Sequence, residues 1–194
     1  MPPKTKYDKE AIVEAAFEIA REEGLGGITA RSVAARLKSS VAPIYVNFST
    51  IEELVEAVVH KVFALTDDML EQQAGDSMFE KIGRASLAAA REFRVLYREL
   101  AIQPNPYMAS YESMEEMMVH AMGQDEAMKD WSLEDRKRLF LKMRVFQVGL
   151  TAMVTNGQVP SWMSGEEFEE LLMEVGEDVF MAQSVKREKS QDSG

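Results

Sequence analysis

The chain has no cysteine among its 194 residues. That excludes structural disulfides, thiolate zinc sites and cysteine nucleophiles, and it fits a reducing compartment. Histidine is scarce as well: His60 and His120 stand far apart, each without a second histidine at metal-ligand spacing. No apolar run approaches the roughly 20 residues that cross a bilayer. The N-terminal stretch MPPKTKYDKEAIVEAA carries basic residues but no apolar core or cleavage site, so it does not read as a signal peptide. A glycine-rich phosphate loop, a nucleophile elbow and an HExxH helix are all missing. The acidic pairs Glu115-Glu116, Glu166-Glu167 and Glu169-Glu170 are adjacent residues, which do not face each other on a helix. These absences point to a cytoplasmic protein that is not an enzyme and needs neither metal nor cofactor. Its length is enough to bury a core without cross-links.

What is present is charge, unevenly spread. The net charge is −11, which argues against a general polyanion binder. Residues 1–50 nevertheless balance at +1, so residues 51–194 carry −12. The split implies two jobs in one chain.

Helix signals recur from end to end, and strand alternation is nearly absent. A first helix, capped by Asp8, runs to about Glu23 and stops at GLGG. Thr29 caps a short helix, ARSVAARL. A third lies within Ser40 to Phe48, with Ser40 as its cap. STIEEL offers Ser49 with Glu52 or Thr50 with Glu53 as a capping box for a long helix to about Gln73. Ser77 with Glu80 opens a helix to about Gln103, which PNP ends. One or two shorter helices are expected between Tyr107 and Asp130. Ser132 with Asp135 opens a helix closing at Asn156-Gly157, and Ser164 with Glu167 opens the last, to about Gln183. The end, KREKSQDSG, has no apolar residue and reads as a frayed tail over 186–194.

The segment KSSVAPIYVNF, Lys38 to Phe48, holds one charge in eleven residues and a proline in its middle. Two short helices joined by a tight turn, packed on a longer first helix, suggest a helix-turn-helix, whose second helix enters the DNA major groove. With Ser40 as cap, Pro43 falls in the first turn, where a missing amide costs little. Small or uncharged Ser40, Val41 and Ala42 permit close approach to base edges. Asn47 can offer paired hydrogen bonds to adenine, Tyr45 can reach a phosphate, and Ile44 and Phe48 face inward. The same pattern also suits a short buried helix in a bundle.

Ile12, Ala15, Ala16, Phe17, Gly24, Thr29, Val33, Ala34, Leu37, Ile44, Tyr45, Phe48, Glu52, Glu53 and Leu54 together resemble the DNA-binding region of the tetracycline-repressor (TetR) family. The resemblance covers about the first quarter of the chain. It departs at Lys38, where the family usually has glycine, at Val46, often histidine or aromatic, and at Ile51, often a phosphate-binding lysine. It implies an all-α protein: a three-helix helix-turn-helix domain at 1–50, then a helical ligand-binding and dimerisation domain at 51–185. The residues it sets against DNA are Thr29, Arg31, Lys38, Ser40, Val41, Ala42, Pro43, Tyr45 and Asn47. With Ile51 in place of a lysine, Lys4, Lys6, Arg31 and Lys38 would supply most of the phosphate charge.

The second part speaks through its methionines: Met108, Met114, Met117, Met118, Met122 and Met128 cluster in one segment beside Tyr107, Tyr111 and Trp131. Methionine is flexible and polarisable, so the stripe suits either an adaptable pocket or a core. The candidate ligand-binding residues are Phe93, Tyr97, Tyr111, Met114, Met118, Phe140, Met143, Arg144 and Gln147. Of these, Arg144 could hold a ligand carboxylate or phosphate, although a surface ion pair is the commoner role of such an arginine. Gly149 and Ala152 allow close helix approach. With the apolar stripe Phe168, Leu171, Leu172, Val175 and Val179 they form the expected homodimer interface. The reading is a sequence-specific transcriptional regulator, a repressor released from a palindromic operator by a mostly apolar or amphipathic small molecule, with no membrane partner. The competing class is an all-helical adaptor, or an enzyme without a recognisable catalytic motif.

Overall fold

The computed structural model describes residues 7–74, 78–107 and 111–191, and all regular structure among them is helical. The helices are α1 (Lys9–Glu23), α2 (Ala30–Arg36), α3 (Ala42–Asn47), α4 (Ile51–Glu71), α5 (Met78–Glu92), α6 (Arg94–Tyr97), α7 (Tyr111–Met122), α8 (Leu133–Thr155) and α9 (Gly165–Gln191). Short-range chemistry sets most of their starts. Asp8 accepts the Ala11 amide and caps α1. Thr29 and Ser32 cap α2 reciprocally, and Thr50 accepts the Glu53 amide at the start of α4. Ser132 accepts from Asp135 and Ser164 from Glu167, opening α8 and α9. Each such cap is worth about 0.5–2 kcal/mol. Ser77 lies outside the described residues.

Three expectations need correcting. Ser40 does not cap α3; Val41 takes the N-cap place, with no side-chain hydrogen bond. The reason is local: Pro43, in the first turn, has no amide for a capping oxygen to receive. The helix expected to reach Gln103 breaks at Phe93 (φ −118°, ψ 47°), restarts as α6 and ends in a π-helical turn, Arg98–Ile102. Neither proline nor glycine marks that break. There Phe93 is buried edge-on against Phe17, with centroids 5.9 Å apart, so packing overrides local propensity. The polar end is helical as far as Gln191, because lysine, arginine, glutamate and glutamine are good helix formers even without an apolar face.

The chain forms two compact units, 1–73 with 88–107 and 74–87 with 108–194. The division differs from a boundary at residue 50. All of α4 belongs to the first unit, where Leu54, Val58, Val59 and Val62 are buried with Ile12 and Phe17 of α1. The same core takes Val33 of α2, Ile44 of α3 and, from the later segment, Leu96. In the second unit, Met118, Val119 and Met122 of α7 pack with Leu139, Phe140 and Met143 of α8. Phe168 and Leu172 of α9 are each only 2% exposed. Trp131 stacks on Phe180 at 5.4 Å. A Cβ on Gly83 would stand 2.9 Å from Leu172, so α5 meets α9 as closely as glycine permits. Burying each large apolar side chain contributes roughly 1.5–3 kcal/mol.

Candidate nucleic-acid interface and ligand cavity

The turn between α2 and α3 is tight because two amides fold back. Lys38 donates to Ala35 O at 3.1 Å and Ser39 to Ala34 O at 2.9 Å. That pattern places the residue after the cap in the left-handed region, and Lys38 takes it, with φ 51°. It is the only non-glycine residue with positive φ among those described. Tyr7 Oη donates to Leu37 O at 2.6 Å, tying the approach to α1 onto the same turn.

Turn and core together fix how α3 is presented. Ile44 (0% exposed) and Phe48 (2%) anchor it, and Lys9 sits over the Phe48 ring at 5.0 Å. The opposite face holds Val41 (39% exposed), Tyr45 (54%) and Val46 (72%). Ser40 and Ala42 are exposed beside them, and Pro43 is half-buried. Asn47 is half-buried too, and its amide donates to Pro43 O at 2.8 Å, spending one donor within the helix. The exposed Thr29 spends its hydroxyl oxygen on the α2 cap. Val46, the most exposed of the group, was missed by sequence reasoning. Its i+1 place after Tyr45 on an amphipathic helix was the available signal.

Several cations of the first unit are already engaged in ion pairs. Arg36 grips Glu22 with two hydrogen bonds, 3.1 and 2.8 Å. The hydrogen bond and charge of Arg36 hold the Glu22 carboxyl below the usual range, and Glu22 raises Arg36 in turn. Arg21 pairs with Glu18 and Glu92, and Lys61 with Glu14. Arg31 and Lys38 are exposed and form no ion pair among the described residues. Lys4 and Lys6 lie outside them.

In the second unit lies a cavity of about 260 Å³. Methionines line it: Met118, Met122, Met128, Met143 and Met173. Leu139, Leu172 and Phe180 complete the apolar wall, and Glu80, Asp125 and Glu177 add carboxylates. Of the sequence candidates, Met118 and Met143 meet here. Phe140 is buried in the adjoining core. Gln147 is buried and donates to Ser86 Oγ, and Arg144 is half-buried; neither lines the cavity. Phe93 and Tyr97 pack into the core of the first unit instead. Tyr111 and Met114 stand on α7, with side chains outside the described ones. Met173 and Phe180 were not foreseen as lining, because the apolar stripe beside them on α9 was assigned to a dimer.

That stripe is divided. Phe168 and Leu172 are buried within the protomer, while Leu171, Val175 and Val179 are half-buried, Val179 against the second core. Gly149 is exposed and Ala152 half-buried. Continuing back from Gly149 at four-residue spacing come Val145 (65% exposed) and Leu141 (49%), also missed from the sequence. On α9, Met181 (63%) and Val185 (45%) are exposed at the same spacing.

A short helix presented by a buried anchor beside a tight turn is the geometry of a helix-turn-helix. Residues 12–58 match the family model for bacterial regulatory proteins, tetR family. Over those residues the chain is similar to the DNA-binding region of tetR-family regulators. A similar solved structure is that of a TetR variant from Acinetobacter baumannii AYE in complex with minocycline. It is 14% identical, with TM-score 0.58, over 94% of this chain and 99% of that one. At that identity the likeness attests the fold. No curated protein matches the chain. Among the described residues no helix is long and apolar enough to cross a membrane, and no cluster of metal-ligating side chains occurs.

Proposed function

We propose that the protein is a repressor that binds a palindromic operator as a homodimer in the cytoplasm and leaves it when a mostly apolar small molecule fills the second unit. The carrying observation is the split of α3 into a buried edge, Ile44 and Phe48, and an exposed edge, Val41, Tyr45 and Val46. Such a helix offers apolar contacts for thymine methyls and a hydroxyl for phosphate. With Arg31 and Lys38 as exposed cations that form no ion pair among the described residues, non-specific affinity is modest and base contacts matter more.

One such helix reads few base pairs, so two-fold pairing is needed, with half-sites one helical turn or a multiple apart. Leu141, Val145, Gly149 and Ala152 of α8, with Met181 and Val185 of α9, form an apolar surface suited to a second copy. Helix α5 divides between the units: its residues up to Leu87 belong to the second, with Glu80 at the cavity, and Ala89 is buried in the core of the first. An effector shifts operator affinity only by binding one state better than another, typically by about 1–3 kcal/mol. A gel shift on operator DNA with and without bound effector tests the reading. Release of specific DNA supports it, and unchanged affinity for every cavity ligand refutes it.

A further inference from the structure

Of the residues lining the second-unit cavity, none is lysine, arginine or histidine. Its ionisable groups are all carboxylates, and they come from three separate segments: Glu80 on α5, Asp125 after α7 and Glu177 on α9. Several cations of the same unit have partners outside the cavity lining. Lys129 pairs with Glu126, Lys137 with Glu115 at 2.9 Å, and Arg84 with Glu169 at 2.6 Å. Arg136 donates to Val119 O at 3.2 Å. Asp125 is held in place by the Ala127 amide on its Oδ1, at 2.9 Å. Glu177 is exposed, so it stands at the rim.

We propose that this cavity takes a lipophilic organic cation, an amine or quaternary ammonium on an apolar chain or ring. This rests on the reading of the cavity as the effector site and names the effector's chemistry. The apolar wall excludes a bare metal ion, which would need several oxygens converging on one point. Here the carboxylates are dispersed, and no group of three or more metal-ligating side chains gathers among the described residues. A large, weakly hydrated cation suits dispersed negative charge and keeps its apolar part against polarisable sulfur. The Phe180 face adds cation–π attraction. An organic anion would meet the like charge of Asp125 and Glu177.

The test compares three ligands sharing one ten-carbon chain, decyltrimethylammonium, 1-decanol and decanoate, titrated calorimetrically into the purified full chain below their micelle concentrations. The cation is expected to bind at least about tenfold tighter than decanol, an advantage equal to about 1.4 kcal/mol, and decanoate weakest. Added salt should shrink that advantage, because the rim is exposed to solvent. Replacing Glu177→Gln and Asp125→Asn together should bring cation and decanol within about twofold while leaving decanol unchanged. Met118→Trp, which fills the cavity, should abolish binding of both. If decanol or decanoate equals the cation but is still lost in Met118→Trp, the cation proposal falls and the effector cavity stands. If none of the three binds, both fall.

Discussion

The side-chain amide of Asn47 donates to the carbonyl of Pro43 at 2.8 Å, one turn back along α3. A donor committed within the helix is not offered to adenine. Asn47→Ala should therefore loosen the end of α3, lowering unfolding free energy by about 0.5–1.5 kcal/mol. It should weaken binding to all DNA sequences by a similar factor. Competition among operators with single base changes checks this, and relaxed discrimination at one base pair alone contradicts it.

Lys38 stands where Gly157 stands after α8. Both follow a helix cap, both have positive φ (51° and 67°), and both turns close with the same pair of amide bonds. Left-handed backbone costs a side-chain-bearing residue about 1–2 kcal/mol, and glycine's extra unfolded-state freedom returns roughly 0.5–1 kcal/mol of that. Lys38→Gly should stabilise the protein by about 0.5–1 kcal/mol while lowering DNA affinity and reducing the salt slope by about one. Thermal unfolding and salt-dependent binding read the two effects separately. A fall in stability would show that the lysine is not strained.

Val145 is 65% exposed, so a charge there leaves the protomer core intact. Val145→Glu should keep helicity and unfolding cooperativity yet convert a dimer to a monomer by light scattering at micromolar concentration. An unchanged mass would place the interface elsewhere.

Short-range chemistry made much of this fold legible. The caps at Asp8, Thr29, Thr50, Ser132 and Ser164, and the stop at Gly157, each follow from a few neighbouring residues. So does the inward placement of Ile44 and Phe48. The break at Phe93 was not legible, because its cause is Phe17, far away in sequence. The stripe Phe168, Leu172, Val175 and Val179 announces burial, but periodicity cannot say against what. Two of its members turned out to serve the protomer's own core, and the exposed surface fell to Leu141 and Val145. For the same reason the cavity drew on Met173 and Phe180 rather than on Phe93 and Tyr97.

The pair Glu22 and Arg36 gives a pH signature. Hydrogen bonding first, and charge second, hold Glu22 below its ordinary range. Such a group stabilises the fold above its unfolded-state pKa, and the contribution disappears as pH falls through the folded-state value. The thermal midpoint of Glu22→Gln should lie below that of the wild type near neutral pH and converge with it in acid. A gap that persists unchanged below the carboxylate range rules out this linkage.

The most direct test is selection of DNA from a random duplex pool by the purified protein, followed by sequencing of the bound fraction. The account predicts one enriched motif with two-fold symmetry, its half-sites about a helical turn or a multiple apart, lost when Tyr45 and Val46 are both replaced by aspartate. No enrichment, or a motif that survives that replacement, contradicts recognition through α3.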